Sequence, residues 1–109
     1  MGDVVLRGLG SAPGLARGRV VLVTGPVDFG RVQRGDVLVC RTTDPAWTPL
    51  FGVVAAVVTQ TGGMLSHAAI VAREVGIPAV VGAGGAMDVL VDGETYAVDG
   101  AAGTVSATR

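Results

Sequence analysis

The sequence of 109 residues contains no lysine, a single cysteine (Cys40), a single histidine (His67) and only 4% aromatic residues. Each shortage excludes a chemistry. Without lysine there is no Walker-type nucleotide loop, whose lysine must reach the β- and γ-phosphates. One cysteine allows no internal disulfide and no thiolate cluster, and one histidine, one cysteine and scattered carboxylates lack the spacing of a metal site, so no metal is expected. The basic residues are all arginine, spread from Arg7 to Arg109, and the net charge is −1. No basic footprint for nucleic acid exists. Charged residues total 16% against a typical ~25%, which leaves surface free to meet other protein. The longest apolar runs, such as 53–58, stop far short of the ~20 residues of a membrane helix, and nothing at the start resembles a signal peptide. One cytoplasmic domain over residues 1–109, with no membrane partner, is expected.

Half of the residues are hydrophobic, with 18 glycines and 5 prolines. Valine, alanine, leucine and isoleucine must therefore build the core, and the β-branched excess favours strands. Patterning predicts strands at 4–6, 15–24, 37–40, 55–59, 79–81, 96–98 and 104–106, a loop over 8–14 and a short helical turn at 27–32. Asp44 is expected to cap a short helix with Pro45 at its first position and Pro49 limiting or kinking it. A main helix spans 66–75, closed by Gly76. Its apolar stripe is Ala68, Val71, Ala72 and Val75, which places His67 and Glu74 on another side, with His67 pointing away from the core. Cys40 reads as core, and Trp47 and Phe51, four apart, as packing for the short helix. The whole is a compact α/β domain centred on the strand, loop, helix and strand of 55–81.

His67 stands in the first turn of the main helix, directly after Thr61-Gly62-Gly63-Met64-Leu65-Ser66. A helix start presents unpaired N–H groups and a partial positive charge, a field that favours a neutral, nucleophilic ring and welcomes a phosphoryl group. Gly62 and Gly63 let backbone amides approach an anion, while Ser66 and Thr61 offer hydroxyls. The same residues also suit a plain capped glycine turn. A serine nucleophile would need a base in reach and a Gly-x-Ser-x-Gly elbow, which Ser66 lacks, and the scattered aspartates form no carboxylate pair for glycoside hydrolysis.

The stretch from Thr61 through His67-Ala68-Ala69-Ile70-Val71-Ala72-Arg73-Glu74 to Gly76-Ile77-Pro78-Ala79-Val80-Val81-Gly82 resembles the signature of the phosphohistidine swivelling (mobile) domain of phosphoenolpyruvate-utilising enzymes. Upstream, Gly35-Asp36-Val37-Leu38-Val39 and Thr43-Asp44-Pro45-Ala46-Trp47-Thr48-Pro49-Leu50-Phe51 are similar to the versions in phosphoenolpyruvate synthase and rifampin phosphotransferase, and the likeness runs on to Asp99-Gly100 and Gly103-Thr104-Val105.

The resemblance implies a single swivelling β/β/α domain and a phosphoryl carrier. Its histidine, here His67, accepts a phosphoryl group at Nε2 in one active site and delivers it in another. It implies partners as well: an ATP-grasp nucleotide-binding domain or chain and an acceptor-substrate domain or chain, with magnesium and ATP or phosphoenolpyruvate bound there and no cofactor on this domain alone. Gly62, Gly63, Ser66 and His67 match the phosphorylation motif, with Thr61 at a place that varies. Thr43 and Thr48 lie in the loop that approaches the histidine, and one of them would hold Nδ1; the sequence leaves open which. Arg73 would neutralise phosphate or pair with a partner carboxylate, or serve as an ordinary surface charge. The rival reading is a non-catalytic interaction or regulatory module that kept the fold.

Overall fold

The computed structural model describes residues 2–108, and Met1 and Arg109, the ends of the expected domain, lie outside the described residues. The described residues form eight strands, β1 (Val4–Arg7), β2 (Leu9–Ala12), β3 (Leu15–Val23), β4 (Val37–Cys40), β5 (Ala56–Thr59), β6 (Ala79–Val81), β7 (Thr95–Asp99) and β8 (Thr104–Ala107). Between them lie helices α1 (His67–Val75) and α2 (Ala86–Val89) and 3₁₀ helices Pro26–Arg31 and Pro45–Gly52. The strands follow the order β1-β8-β7-β3-β4-β5-β6-β2.

This sheet folds across itself at β3. Residues 15–19 pair antiparallel with β7, whereas residues 20–23 pair parallel with β4. One strand thus joins an antiparallel half to a mostly parallel half. Leu6, Val20, Val37, Val58, Val80 and Val98 fill the space between the halves. Leu38, Cys40, Val57, Phe51 and the alanines of α1 form a second cluster on the opposite face of the parallel half. Two sheets and a helical layer result, the β/β/α arrangement expected. β4 shows why its sequence is an unbroken apolar run: Val37 and Val39 face one cluster and Leu38 and Cys40 the other, so both faces are buried.

The crossing of β3 depends on a missing side chain. A Cβ at Gly18 would lie 2.3 Å from the carbonyl oxygen of Gly35. Next to it the Arg19 guanidinium reaches the nearly buried Asp36 at 2.8 Å, and Asp36 also accepts from the backbone N–H of Gln33.

Two expectations are corrected and one element is added. The predicted loop over 8–14 contains β2, which pairs antiparallel with β6. Its Leu-Gly-Ser-Ala sequence carries little strand signal, yet small residues are what the place requires, since a Cβ at Gly10 would meet the Gly100 oxygen at 2.4 Å. The four-residue α2 was not foreseen. In α1 the buried positions are Ala68, Ala69 and Ala72, with Val71 partly buried and Val75 48% exposed. The three alanines let the helix lie close to β2, β5 and β6, and Val75 falls beyond that contact, one residue before the left-handed cap Gly76. Among the described residues no helix is long and apolar enough to cross a membrane.

Gly18→Ala should cost about 2–3 kcal/mol of unfolding free energy by urea titration, because backbone has to move, whereas Gly30→Ala, with open space around the added carbon, should change it by less than about 0.5 kcal/mol. Burial pushes the Cys40 thiol up from 9.0 to about 12. Native protein should therefore resist thiol reagents near neutral pH and react once denatured. The thiol's contribution to stability stands whole below pH 9.0 and is lost as pH rises toward 12, a loss that Cys40→Val should remove.

Candidate functional site

β4 and β5 are adjacent and parallel, with Cys40 opposite Thr59, so the loops that follow them leave at one edge. Gln60 N–H donates to the Cys40 carbonyl at 2.9 Å, and both the N–H and the hydroxyl of Thr61 donate to the Arg41 carbonyl at 3.0 Å. The first loop carries Thr43 and the second leads to His67.

In the first loop Asp44 accepts from Ala46 N–H at 2.9 Å and Pro45 opens the helix Pro45–Gly52, as expected from the sequence. That helix is 3₁₀, not α. With three residues per turn, positions three apart eclipse. Trp47 and Leu50 are buried, and Trp47 meets Phe29 edge to face at 5.1 Å. Thr48 and Phe51 are the pair that meets His67. The Phe51 ring lies 5.9 Å from the imidazole at 85°, a contact the four-apart pairing of Trp47 with Phe51 did not indicate.

The histidine is tied at both nitrogens. Thr43 Oγ1 lies 2.7 Å from Nδ1 and Thr48 Oγ1 lies 3.3 Å from Nε2. Thr43 is buried, so its tether is the firm one; that at Thr48 is longer and exposed. The ring does not project freely away from the core as predicted. It leans across to the neighbouring loop, half-buried, because the 3₁₀ helix packs against α1 there.

The glycine loop is held by its own hydroxyls. Ser66 caps α1 by accepting from Ala69 N–H at 3.4 Å and donates to the Gly63 carbonyl at 2.7 Å. Thr59, which the sequence reading passed over, donates to the Thr61 carbonyl at 2.7 Å. Gly62 adopts φ 103°, and a Cβ there would press on Ser66 at 3.0 Å, whereas a Cβ at Gly63 would meet nothing within 4 Å. Gly62 is the glycine the loop geometry demands. Arg73 donates to the carbonyls of Ser11 and Met64, bracing the glycine loop against β2. Of the residues singled out from sequence, Thr43 and Thr48 therefore meet His67, while Ser66, Thr61 and Arg73 tie the surrounding backbone. Among the described residues no group of three or more His, Cys, Asp or Glu side chains could hold a metal ion. Of the first-turn amides of α1, that of Ala69 is taken by the Ser66 hydroxyl, and the space around Gly63 is open.

A β/β/α domain that presents one histidine, flanked by two hydroxyls, at a helix start behind a glycine loop defines a class of mobile domain. Residues 32–103 match the family model described as PEP-utilising enzyme, mobile domain, and the chain belongs to that family. It is 50% identical over 107 residues to the phosphoenolpyruvate synthase of Aeropyrum pernix, which aligns 97% of this chain with 13% of that protein. It is 46% identical over 99 residues to an uncharacterised phosphotransferase, YvkC, of Bacillus subtilis, covering 91% of this chain and 12% of that one. The chain thus spans only 13% and 12% of the length of these curated relatives. Among solved structures, Enzyme I (nEIt) superposes with TM-score 0.58 at 36% identity over 66% of this chain and 30% of that chain. Aconitase X of Thermococcus kodakaraensis superposes with TM-score 0.71 at 18% identity, over 95% of this chain and 98% of that one, a likeness of fold alone.

Thr43→Val should release Nδ1. Nitrogen-15 NMR of the ring is then expected to show the two neutral tautomers mixed where the parent shows one, with stability lowered by about 1 kcal/mol. A single unchanged tautomer would remove Thr43 as the residue that orients the ring.

Proposed function

We propose that this chain is a phosphoryl carrier whose His67 Nε2 takes a phosphoryl group in one active site and delivers it in another. The observation that carries this reading is the division of labour on the ring, with Nδ1 held by buried Thr43 and Nε2 on the exposed side. A hydroxyl that accepts from Nδ1–H leaves the lone pair on Nε2. In the loading step that pair attacks phosphorus and the N–P bond forms. The bond from phosphorus to the donor's oxygen breaks, and its electron pair leaves on that oxygen.

The ring keeps its Nδ1 proton and becomes a phosphoimidazolium. Threonine is no base, so it does not draw that proton away, and the ring stays a good leaving group for the next transfer. A carboxylate in the same place would share the proton and make the phosphoramidate harder to discharge. The first-turn amides of α1 and the open flank of Gly63 receive the phosphoryl oxygens, and the Ser66 hydroxyl reaches them by rotating away from the Gly63 carbonyl.

Among the described residues no cluster of three or more His, Cys, Asp or Glu side chains offers magnesium a site. Magnesium and the donor, ATP or phosphoenolpyruvate, are therefore assigned to partners, an ATP-grasp nucleotide-binding domain or chain and an acceptor-substrate domain or chain, in the cytoplasm where such donors are made. The names of the relatives, phosphoenolpyruvate synthase and phosphotransferase, support this class. Leu65, 83% exposed two residues before His67, gives a docking partner apolar surface on the glycine loop.

With ATP, magnesium and the nucleotide-binding part of the Aeropyrum pernix enzyme, the chain should gain one phosphoryl mass that is labile in acid and stable in base. His67→Ala should take none, and the chain alone should consume neither ATP nor phosphoenolpyruvate. Label that persists in His67→Ala would sink the assignment. A folded parent chain that never loads would favour the non-catalytic module.

A further inference from the structure

We propose that Thr48 is a catalytic residue at Nε2: its hydroxyl donates to the nitrogen lone pair while the carrier is empty and to a phosphoryl oxygen once it is loaded. The proposal rests on the carrier reading and deepens it. Thr48 Oγ1 lies 3.3 Å from Nε2, past the usual limit of a strong bond, whereas Thr43 holds Nδ1 at 2.7 Å. The outer tether is the one built to let go.

The backbone under Thr48 is not free to follow the phosphoryl group. Trp47 and Leu50 anchor one side of the 3₁₀ helix in the core, Phe51 packs edge-on to the imidazole, and Pro49 follows directly. Rotation about χ1 is therefore the available motion, and a phosphoryl group on Nε2 brings its oxygens into the region Oγ1 already occupies. During loading the N–P bond forms, the donor's P–O bond breaks onto the donor oxygen, and the hydroxyl proton stays on Thr48 throughout, changing only its acceptor. A hydrogen bond to a charged phosphoryl oxygen is roughly twice as strong as one to a neutral ring nitrogen. Thr48 thus favours the loaded carrier while costing the empty one little.

Phosphoramidate tests this without a partner, since Nε2 displaces ammonia from it directly. In Thr48→Val, which keeps the side-chain shape, the Nε2 nitrogen-15 shift of the empty ring should move while the Nδ1–H signal stays. The phosphohistidine should decay about tenfold faster or more at neutral pH, the worth of one hydrogen bond to a charged group. Thr48→Ser should restore both. A loaded parent chain with an unmoved Nε2 signal and unchanged decay in Thr48→Val overturns the role of Thr48 alone. A parent chain that takes no phosphoryl group at Nε2 overturns the carrier reading, and the loaded role of Thr48 with it.

Discussion

The parallel pairing of β4 with β5 is the constraint on which the site depends. Parallel neighbours run out at the same edge, so the loop after Cys40 and the loop after Thr59 have to emerge side by side, and Thr43 comes to face His67 from 24 residues away. Backbone hydrogen bonds from Gln60 and Thr61 to the Cys40 and Arg41 carbonyls extend the pairing past the strands. The loops are thereby fixed to one another before any side chain of the site is considered. Burial on both faces makes this pairing stable: one face of the parallel half is covered by the antiparallel half and the other by α1 and the 3₁₀ helix.

Around the ring the chemistry is set by what the two loops bring. Both nitrogens meet neutral hydroxyls, one buried and one exposed. Two neutral partners thus orient the imidazole through hydrogen bonds alone. Arg73 contributes at a remove. Its guanidinium spans the carbonyls of Ser11 and Met64 and so holds the glycine loop to β2, a bracing role rather than a place at the ring.

The short helix Pro45–Gly52 shows how one local choice reaches the site. Trp47 and Phe51 both pack into the core, as the sequence leads one to expect. As a 3₁₀ helix with Pro49 inside, it pairs Thr48 with Phe51 and turns both toward His67. Asp44 and Pro45 make the start of that helix visible in the sequence. Burial of Trp47, Leu50 and Phe51 holds that helix against the core.

What the sequence by itself determined was whatever depends on neighbours along the chain. The run at 37–40 had to be a strand buried on both faces, Ser66 had to begin a helix and Gly76 to end it, and the single histidine had to stand in the first turn after a glycine loop. Tertiary structure alone decided the rest. Strand β2 exists because β6 offers an unpaired edge and the turn near Gly100 admits only small residues, which erase the local strand signal. The choice of Thr43 over Thr48 for Nδ1, the need for glycine at 62 rather than 63, and the employment of Arg73 on carbonyls all turn on distances between segments remote in sequence. Periodicity and capping report the conformation of a few consecutive residues, whereas these contacts arise only when separate strands align at a common edge.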